Sequence, residues 1–255
     1  MDMQSALEIA VDISHAAGDV TLDYWRRSDL IVEGKHDGSE VTAADRGAEA
    51  VARQMISERF PNDAVLGEEH GFQPGSSDRK WFIDPIDGTF GFVRGVPLYA
   101  TLLAMVDAEG PAVGVIHLPA LNRTVFAARG LGCFDNETRA RVNSVDTLTG
   151  ALVCASDWNA ASSDQLLAVH GTGARMRTWG DAYGYAMVAA GEAEAMIDPI
   201  CSAWDLAPMP VILSEAGGSF TDLEAKPAYD SGNGVASNGR IHAELLLVLN
   251  SGAGE

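Results

Sequence analysis

Five short apolar runs follow one another between Ala64 and Phe134: "AVLGEE", "KWFID", "YATLLAMVD", "PAVGVIHLP" and "NRTVFAARG". Gly, Pro, Asn and Asp separate them, so they read as strands. The turn from Asp107 to Gly110 makes two of them antiparallel neighbours. Before this block lie two helical segments. From Ser5 to Arg27 the apolar positions Ala6, Ile9, Ile13, Ala17, Val20 and Tyr24 keep a helical period, and Ser5 with Glu8 forms a capping box. "EGKHDGSE", Glu33 to Glu40, is polar with two glycines and reads as a mobile loop. Thr42 then opens a second helix with Ala44, Ala48, Val51 and Met55 on one face, ending near Phe60-Pro61. Asp45 falls in its first turn, where a carboxylate suits the helix dipole. After Asn136 strands and helices alternate: "ALVCAS", "SSDQLLAVH", "DAYGYAMVAAG", "AEAMID", "WDLAPMPVILSEAG", "GSFTDL", "GVASN" and "HAELLLVLN". The expected class is α/β, with an α+β lobe over 1–136 and an α/β lobe over 137–255.

Composition narrows the function. A chain of 255 residues with 47% hydrophobic and 21% charged residues is an ordinary globular sequence. No apolar run approaches the roughly 20 residues that cross a bilayer. "MDMQSALEIA" carries acids where a secretory signal has a basic region, and three scattered cysteines make no disulfide framework or CxxC pair. A reducing cytoplasm is expected. The net charge of −19 argues against nucleic acid or an anionic membrane as partner. An anionic ligand would therefore need a positive mediator, and a divalent metal is the economical one.

The run "KWFID" ends on Asp84, followed by Pro85, Ile86, Asp87, Gly88 and Thr89. Pro85 fixes its own φ and restricts Asp84, so the turn is stiff. Two carboxylates held there repel one another unless a cation sits between them. A hard ion such as Mg²⁺ takes oxygen ligands, and the Ile86 carbonyl between the acids could add one. Glu68-Glu69 also ends a strand, and Asp205 stands at a helix start. Taken alone, the first pair reads equally as a solvated turn and Asp205 as a helix cap.

"DPIDGT", with "GEE" upstream, "VTAAD" earlier and "WD" downstream, resembles the inositol-monophosphatase-like, magnesium-dependent sugar-phosphatase superfamily. The likeness runs from "GKHDGSEVTAAD" to "SEAGGSFTDL" and "ASNGRIHAELL". Within it, "GFVRGVPLYATLLAM", "GVIHLPALNRTVFAARGLGCF" and "RTWGDAYGYAMVAAG" are most similar to the histidinol-phosphatase branch. The resemblance implies a five-layered α-β-α-β-α sandwich, usually a homodimer. It implies that Glu68, Asp84, Asp87, Asp205 and the Ile86 carbonyl hold two or three Mg²⁺ ions. Thr89 and Asp45 would orient and deprotonate the attacking water, and Glu68 belongs with them in the catalytic group. Gly88 and Thr89 amides would bind phosphate oxygens, and Lys35 would close over the site from its loop. The implied reaction is hydrolysis of a small phosphate ester, histidinol phosphate first and inositol-1-phosphate or another polyol phosphate as alternative. A non-catalytic metal-binding member is the rival class, which the presence of both Thr89 and Asp45 opposes.

Two departures bear on the substrate. Phe90-Gly91 follows Thr89 where a basic or polar residue and Asn or Ser are usual. Asp198, seven residues before Asp205, replaces the usual Glu. Asp181 and Asp198 could pair with a cationic substrate, and Arg177 matches a position that lines the same pocket; a helix cap for Asp181 and a surface role for Arg177 are the plain alternatives. Elsewhere the six histidines show no HxxxH pair. GxSxG, a Walker loop and a GxGxxG after a strand are missing. The tryptophans 25, 81, 158, 179 and 204 read as core or interface.

Overall fold

A computed structural model describes residues 2–36, 38–157 and 159–251; Asp37 and Trp158 lie outside the described residues. The first part runs α1 (Met3–Tyr24), β1 (Val32–Gly34), β2 (Glu40–Thr42), α2 (Ala43–Arg59), β3 (Ala64–Gly67), β4 (Gly71–Gln73), β5 (Lys80–Asp87), α3 (Thr89–Val93), β6 (Ala100–Asp107), β7 (Gly110–Leu118), β8 (Arg123–Ala128), β9 (Gly132–Asp135) and β10 (Thr138–Arg139). The second runs β11 (Leu152–Ala155), α4 (Ser163–Gly171), β12 (Arg175–Arg177), α5 (Asp181–Ala189), β13 (Ala195–Asp198), α6 (Ala203–Leu206), α7 (Met209–Ala216), β14 (Ser219–Thr221), β15 (Gly234–Ser237) and α8 (His242–Ser251).

Two sheets carry the molecule. The larger has the order β10-β9-β8-β7-β6-β5-β3-β4 and is antiparallel except where β3 lies parallel to β5. The smaller, β12-β11-β13-β15-β14, is parallel across its first three strands. Helices α1 and α2 cover one face of the large sheet, with Ala10, Ile13, Ala48 and Ile56 against Ile83, Leu103 and Val115. On its other face Leu102, Ile116 and Val125 meet Tyr185 of α5 and Met209 and Leu213 of α7. Those same helices reach Met196 and Ala236 of the small sheet. Leu245 and Leu249 of α8, with Val169 of α4, close the outer face on Val153 and Ile197. The layers are therefore α-β-α-β-α. Because β6 and β7 are sandwiched, they are apolar on both faces and read as unbroken hydrophobic runs.

Several local readings are corrected. Helix α1 starts two residues before Ser5, and Asp2 caps it by accepting the Ser5 N–H at 2.8 Å, so no Ser5–Glu8 box forms. Thr42 does cap α2, reciprocally with Asp45, but the buried face continues through Ala52 and Ile56 where Val51 and Met55 were expected. Part of the expected loop pairs as a hairpin, Val32 opposite Thr42. "WDLAPMPVILSEAG" is two helices, because Pro208 has no N–H to continue the ladder. The edge strand β12, Arg-Met-Arg, carries too little apolar signal to be expected.

The device that builds the site is a bulge in β5. Residues three apart on a regular strand point to opposite faces. Here Asp84 pairs with Leu102 and Asp87 with Ala100, so three steps on β5 oppose two on β6. The extra residue brings both acids to one side. Pro85 has no N–H to give the ladder, and its carbonyl accepts the buried Thr101 hydroxyl at 2.9 Å.

Candidate active site

The end of β5, the start of α3, the turn after β3 and the start of α6 line one cleft of about 930 Å³. Asp84, Asp87 and Asp205 each present a carboxylate oxygen, all within 4.8 Å of one another. Asp205 is held by the Ser202 N–H, which donates to its Oδ2 at 2.8 Å. Asp87 Oδ2 accepts the Ala182 N–H at 2.5 Å, tying it to α5. Glu68 lines the same cleft outside that trio. Its carboxylate is paired with Lys35, whose Nζ lies 2.7 Å from Glu68 Oε1 and 2.6 Å from Glu69 Oε1.

Crowding shows in the proton affinities. Burial, then the charges of Glu68, Asp205 and Asp87, pushes the Asp84 carboxyl well above the usual range. Burial with Asp181 and Asp205 does the same to Asp87. Asp205 is pushed up to about 6, chiefly by burial. Burial pulls the Lys35 ammonium down, but its two carboxylate partners outweigh that and raise it. Three carboxylates, a fourth on the wall and a backbone carbonyl, with no sulfur or imidazole among them, form a donor set suited to hard divalent ions. A bound cation would remove the repulsion that now favours protonation.

Thr89 sits beside this cluster. Its Oγ1 lies 3.1 Å from Asp45 Oδ1 and 2.8 Å from the Ile86 carbonyl oxygen. Asp45 is fully buried, and its Oδ2 takes the Thr42 N–H at 2.8 Å and the Thr42 hydroxyl at 2.7 Å. Burial raises its carboxyl above the usual value. Gly88 has φ 82°, a conformation suited to glycine, and it opens α3, whose first amides have no intrahelical acceptor. A Cβ there would stand 2.8 Å from Asp181 Oδ2, so glycine also makes room for that carboxylate.

Asp181 and Asp198 are linked through Ser156. Its hydroxyl donates to Asp198 Oδ1 at 2.5 Å and accepts the Asp181 N–H at 2.8 Å. Burial raises both carboxyls, Asp198 to about 7. Arg177 is not brought to the cleft: it lies on edge strand β12, donates to the Met176 carbonyl and stands over the Trp179 ring at 5.9 Å. Phe90 is 67% exposed at the cleft mouth. The Arg94 guanidinium lies 3.4 Å over its ring and pairs with Glu40, so β2 is tied to α3.

Two residues escaped the sequence reading. Glu49 has no exposed surface, yet its carboxylate accepts the Glu69 N–H at 2.6 Å, the His70 N–H at 3.1 Å and Arg53 Nε at 2.6 Å. It holds the turn that carries Glu68. The available signal was an acid between Ala48 and Ala52 with Arg53 four residues on. Ser156 directly follows strand β11, and β5 runs through Asp84 to Asp87, past the end that the sequence suggests at Asp84.

The model of the inositol monophosphatase family matches residues 2–251. The chain is 40% identical to the histidinol-phosphatase of Streptomyces coelicolor, covering 98% of each chain, and 37% identical to that of Mycobacterium tuberculosis over 96% of this chain and 98% of the other. It is 33% identical to the fructose-1,6-bisphosphatase/inositol-1-monophosphatase of Thermotoga maritima, over 96% and 95%. Among solved structures, a Thermotoga maritima IMPase superposes with a TM-score of 0.90 at 33% identity, over 98% of each chain. The chain belongs to the inositol monophosphatase family and is, with it, a metal-dependent phosphoric monoester hydrolase.

Proposed function

We propose that the protein hydrolyses histidinol phosphate to histidinol and phosphate, with Mg²⁺ held by Glu68, Asp84, Asp87, Asp205 and the Ile86 carbonyl. The observation that carries the metal reading is the convergence of Asp84, Asp87 and Asp205, from two distant parts of the chain, within 4.8 Å. When bound, divalent ions supply positive charge and Lewis acidity to the phosphoryl group. The chain's own residues do the rest. Thr89 takes a proton from the attacking water as its own passes toward Asp45. Amides of Gly88 and Thr89 bind the phosphoryl oxygens. Water oxygen bonds to phosphorus in line, the ester P–O bond breaks, the departing alkoxide takes a proton from solvent water, and Asp45 returns its proton to solvent. Lys35 would bind near the ester from the β1–β2 hairpin.

The substrate is proposed from the acidic pair Asp181 and Asp198, which suits a cationic alcohol better than a neutral polyol, and from the names of the 40% and 37% identical relatives. The 33% identical relative named for inositol-1-phosphatase activity keeps that ester as the second reading. We further propose that lobe 1–136 supplies most of the metal ligands and lobe 137–255 supplies Asp205 and the substrate pocket. The protein would act as a cytoplasmic homodimer, the compartment suggested by three free thiols. Phosphate release from a panel of esters tests the reading. It should need Mg²⁺, stop with chelator and vanish in Asp84→Asn. A kcat/KM about tenfold or more higher on inositol-1-phosphate than on histidinol phosphate would overturn the substrate assignment.

A further inference from the structure

The Phe90 side chain takes no part in holding metal or phosphate, yet its ring is fixed in place. Arg94, four residues on, lays its guanidinium 3.4 Å over the ring centre. That guanidinium is itself tied down. Its Nη1 donates to the Phe90 carbonyl and to Glu40 Oε2, both at 2.8 Å, and its Nη2 donates to Glu40 Oε1 at 3.2 Å. Phe90 is nevertheless 67% exposed. With Arg94 on one face, exposure of that size leaves the other face open. Of the exposed side chains Phe72, Phe90 and Trp179, only Phe90 lines the cleft. Val96 and Leu98 join it there, so the cleft has an apolar portion as well as its carboxylates. Gly91 adds no side chain next to the ring. An exposed phenylalanine by itself calls for no explanation. A ring immobilised by its neighbours on the wall of a binding cleft is preorganised, and a partner that meets it loses little freedom in doing so.

We propose that Phe90 is a specificity-determining residue, its open face stacking on a flat, uncharged ring carried by the alcohol part of the ester. The inference rests on the reading of the cleft as a phosphate-ester site, and deepens it by naming the class of alcohol. Phe90 follows Thr89 directly, and consecutive Cα atoms are about 3.8 Å apart. A phosphoryl group on the Gly88 and Thr89 amides therefore has its alcohol within reach of the ring. The charge of the partner follows from Arg94. Both faces of a ring share one quadrupole, and a cation already lies on one of them. A second cation on the other face would gain little and be repelled by the first, so a neutral ring in offset stacking is favoured. A neutral imidazole meets this description, and so does a phenyl group.

Two ester pairs test this: 2-phenylethyl against 2-cyclohexylethyl phosphate, and phosphocholine against its uncharged isostere 3,3-dimethylbutyl phosphate. The phenyl-to-cyclohexyl ratio of kcat/KM should be about three- to tenfold higher in the wild type than in Phe90→Leu, and Phe90→Tyr should keep it. The gain should sit in KM, because stacking remote from phosphorus is equal in ground and transition states. A ratio taken within one variant is insensitive to partial loss of fold, and comparing ratios cancels the greater apolarity of cyclohexyl. The phosphocholine ratio should be the same in the wild type and Phe90→Leu. The proposal is overturned if the wild type hydrolyses neither member of the aromatic pair, if Phe90→Leu keeps the phenyl preference, or if Phe90→Tyr loses it as completely. It is equally overturned if Phe90→Leu lowers the phosphocholine ratio instead, since the ring is then a cation site. The two readings fail separately. A phenyl preference that depends on Phe90, in an enzyme that turns over histidinol phosphate poorly, keeps the platform and removes the histidinol reading. Brisk hydrolysis of histidinol phosphate with a phenyl preference unchanged in Phe90→Leu does the reverse.

Discussion

Thr89 has one hydroxyl proton and two acceptors within reach, Asp45 Oδ1 at 3.1 Å and the Ile86 carbonyl at 2.8 Å. Only the direction toward Asp45 makes a proton relay, because a carboxylate can take the proton and a carbonyl cannot. Thr89→Ala should therefore lower kcat by about 10²–10⁴-fold while divalent affinity stays within a few-fold, and Thr89→Ser should restore most of the rate. Steady-state kinetics beside calorimetric metal titration separate the two; an unchanged kcat would remove Thr89 from the chemistry. Glu49 makes a different kind of contribution. Glu49→Gln removes a buried charge from Arg53 and one acceptor from the Glu69–His70 amides, which should cost about 3–5 kcal/mol in denaturant unfolding. At this scale the sequence was readable where chemistry is local. Two acids flanking a proline declare themselves, and Thr42 with Asp45 is a cap of adjacent residues. The Thr89–Asp45 contact spans 44 residues; nothing in either neighbourhood announces it without the family resemblance.

Among elements, the bulge in β5 and the packing of α1 on β7 carry the consequences. The short apolar run Trp81-Phe82-Ile83 exposed β5 as a strand, but the register shift that turns Asp84 and Asp87 to one side depends on β6 across the sheet. Likewise the Ala52–Ile56 face of α2 is set by which side of the helix meets the sheet, since Val51 and Met55 are as apolar as the residues chosen. Packing of α1 on β7 places the His117 ring where a Cβ on Gly18 would lie 2.5 Å away. The Thr124 hydroxyl joins His117 Nδ1 at 3.0 Å to His15 Nε2 at 2.9 Å. Burial, and then His15, pulls the His117 pKa down to about 4. Unfolded His titrates near 6.5, so between these values the unfolded chain binds more protons. Stability is fully present above pH ~6.5 and falls as pH drops through the window, by on the order of 3 kcal/mol below pH ~4. The site carboxyls, with raised affinities, contribute the opposite sign, so the difference between wild type and His117→Gln is the quantity to measure. Denaturant unfolding at pH 7 and pH 5 should show the wild type losing more; equal losses would rule out a buried neutral His117.

For the whole molecule, the acidic cluster is a set of like charges assembled only by folding. Glu68 and Asp84 come from the large sheet and Asp205 from the helical layer between the sheets, so a shared cation ties layers together. Any ion that binds this arrangement and not the unfolded chain stabilises by mass action, about 2.7 kcal/mol at a hundredfold excess over Kd. In a chain of this length that is a Tm increase of roughly 5–10 °C, reversed by chelator and lost in Asp205→Asn. The layered architecture was largely legible, because sandwiched strands are unbroken apolar runs and outer helices keep a 3.6 period. The small sheet's edge was not, since Arg175–Arg177 pairs with β11 by backbone alone. The most direct test of the account is calorimetric titration of the metal-stripped protein with Mg²⁺. It predicts saturable binding in the wild type that is weakened at least tenfold in Asp84→Asn and in Asp205→Asn, each still folded by far-ultraviolet circular dichroism. Wild-type affinity in both variants, or no binding to the wild type, would contradict it.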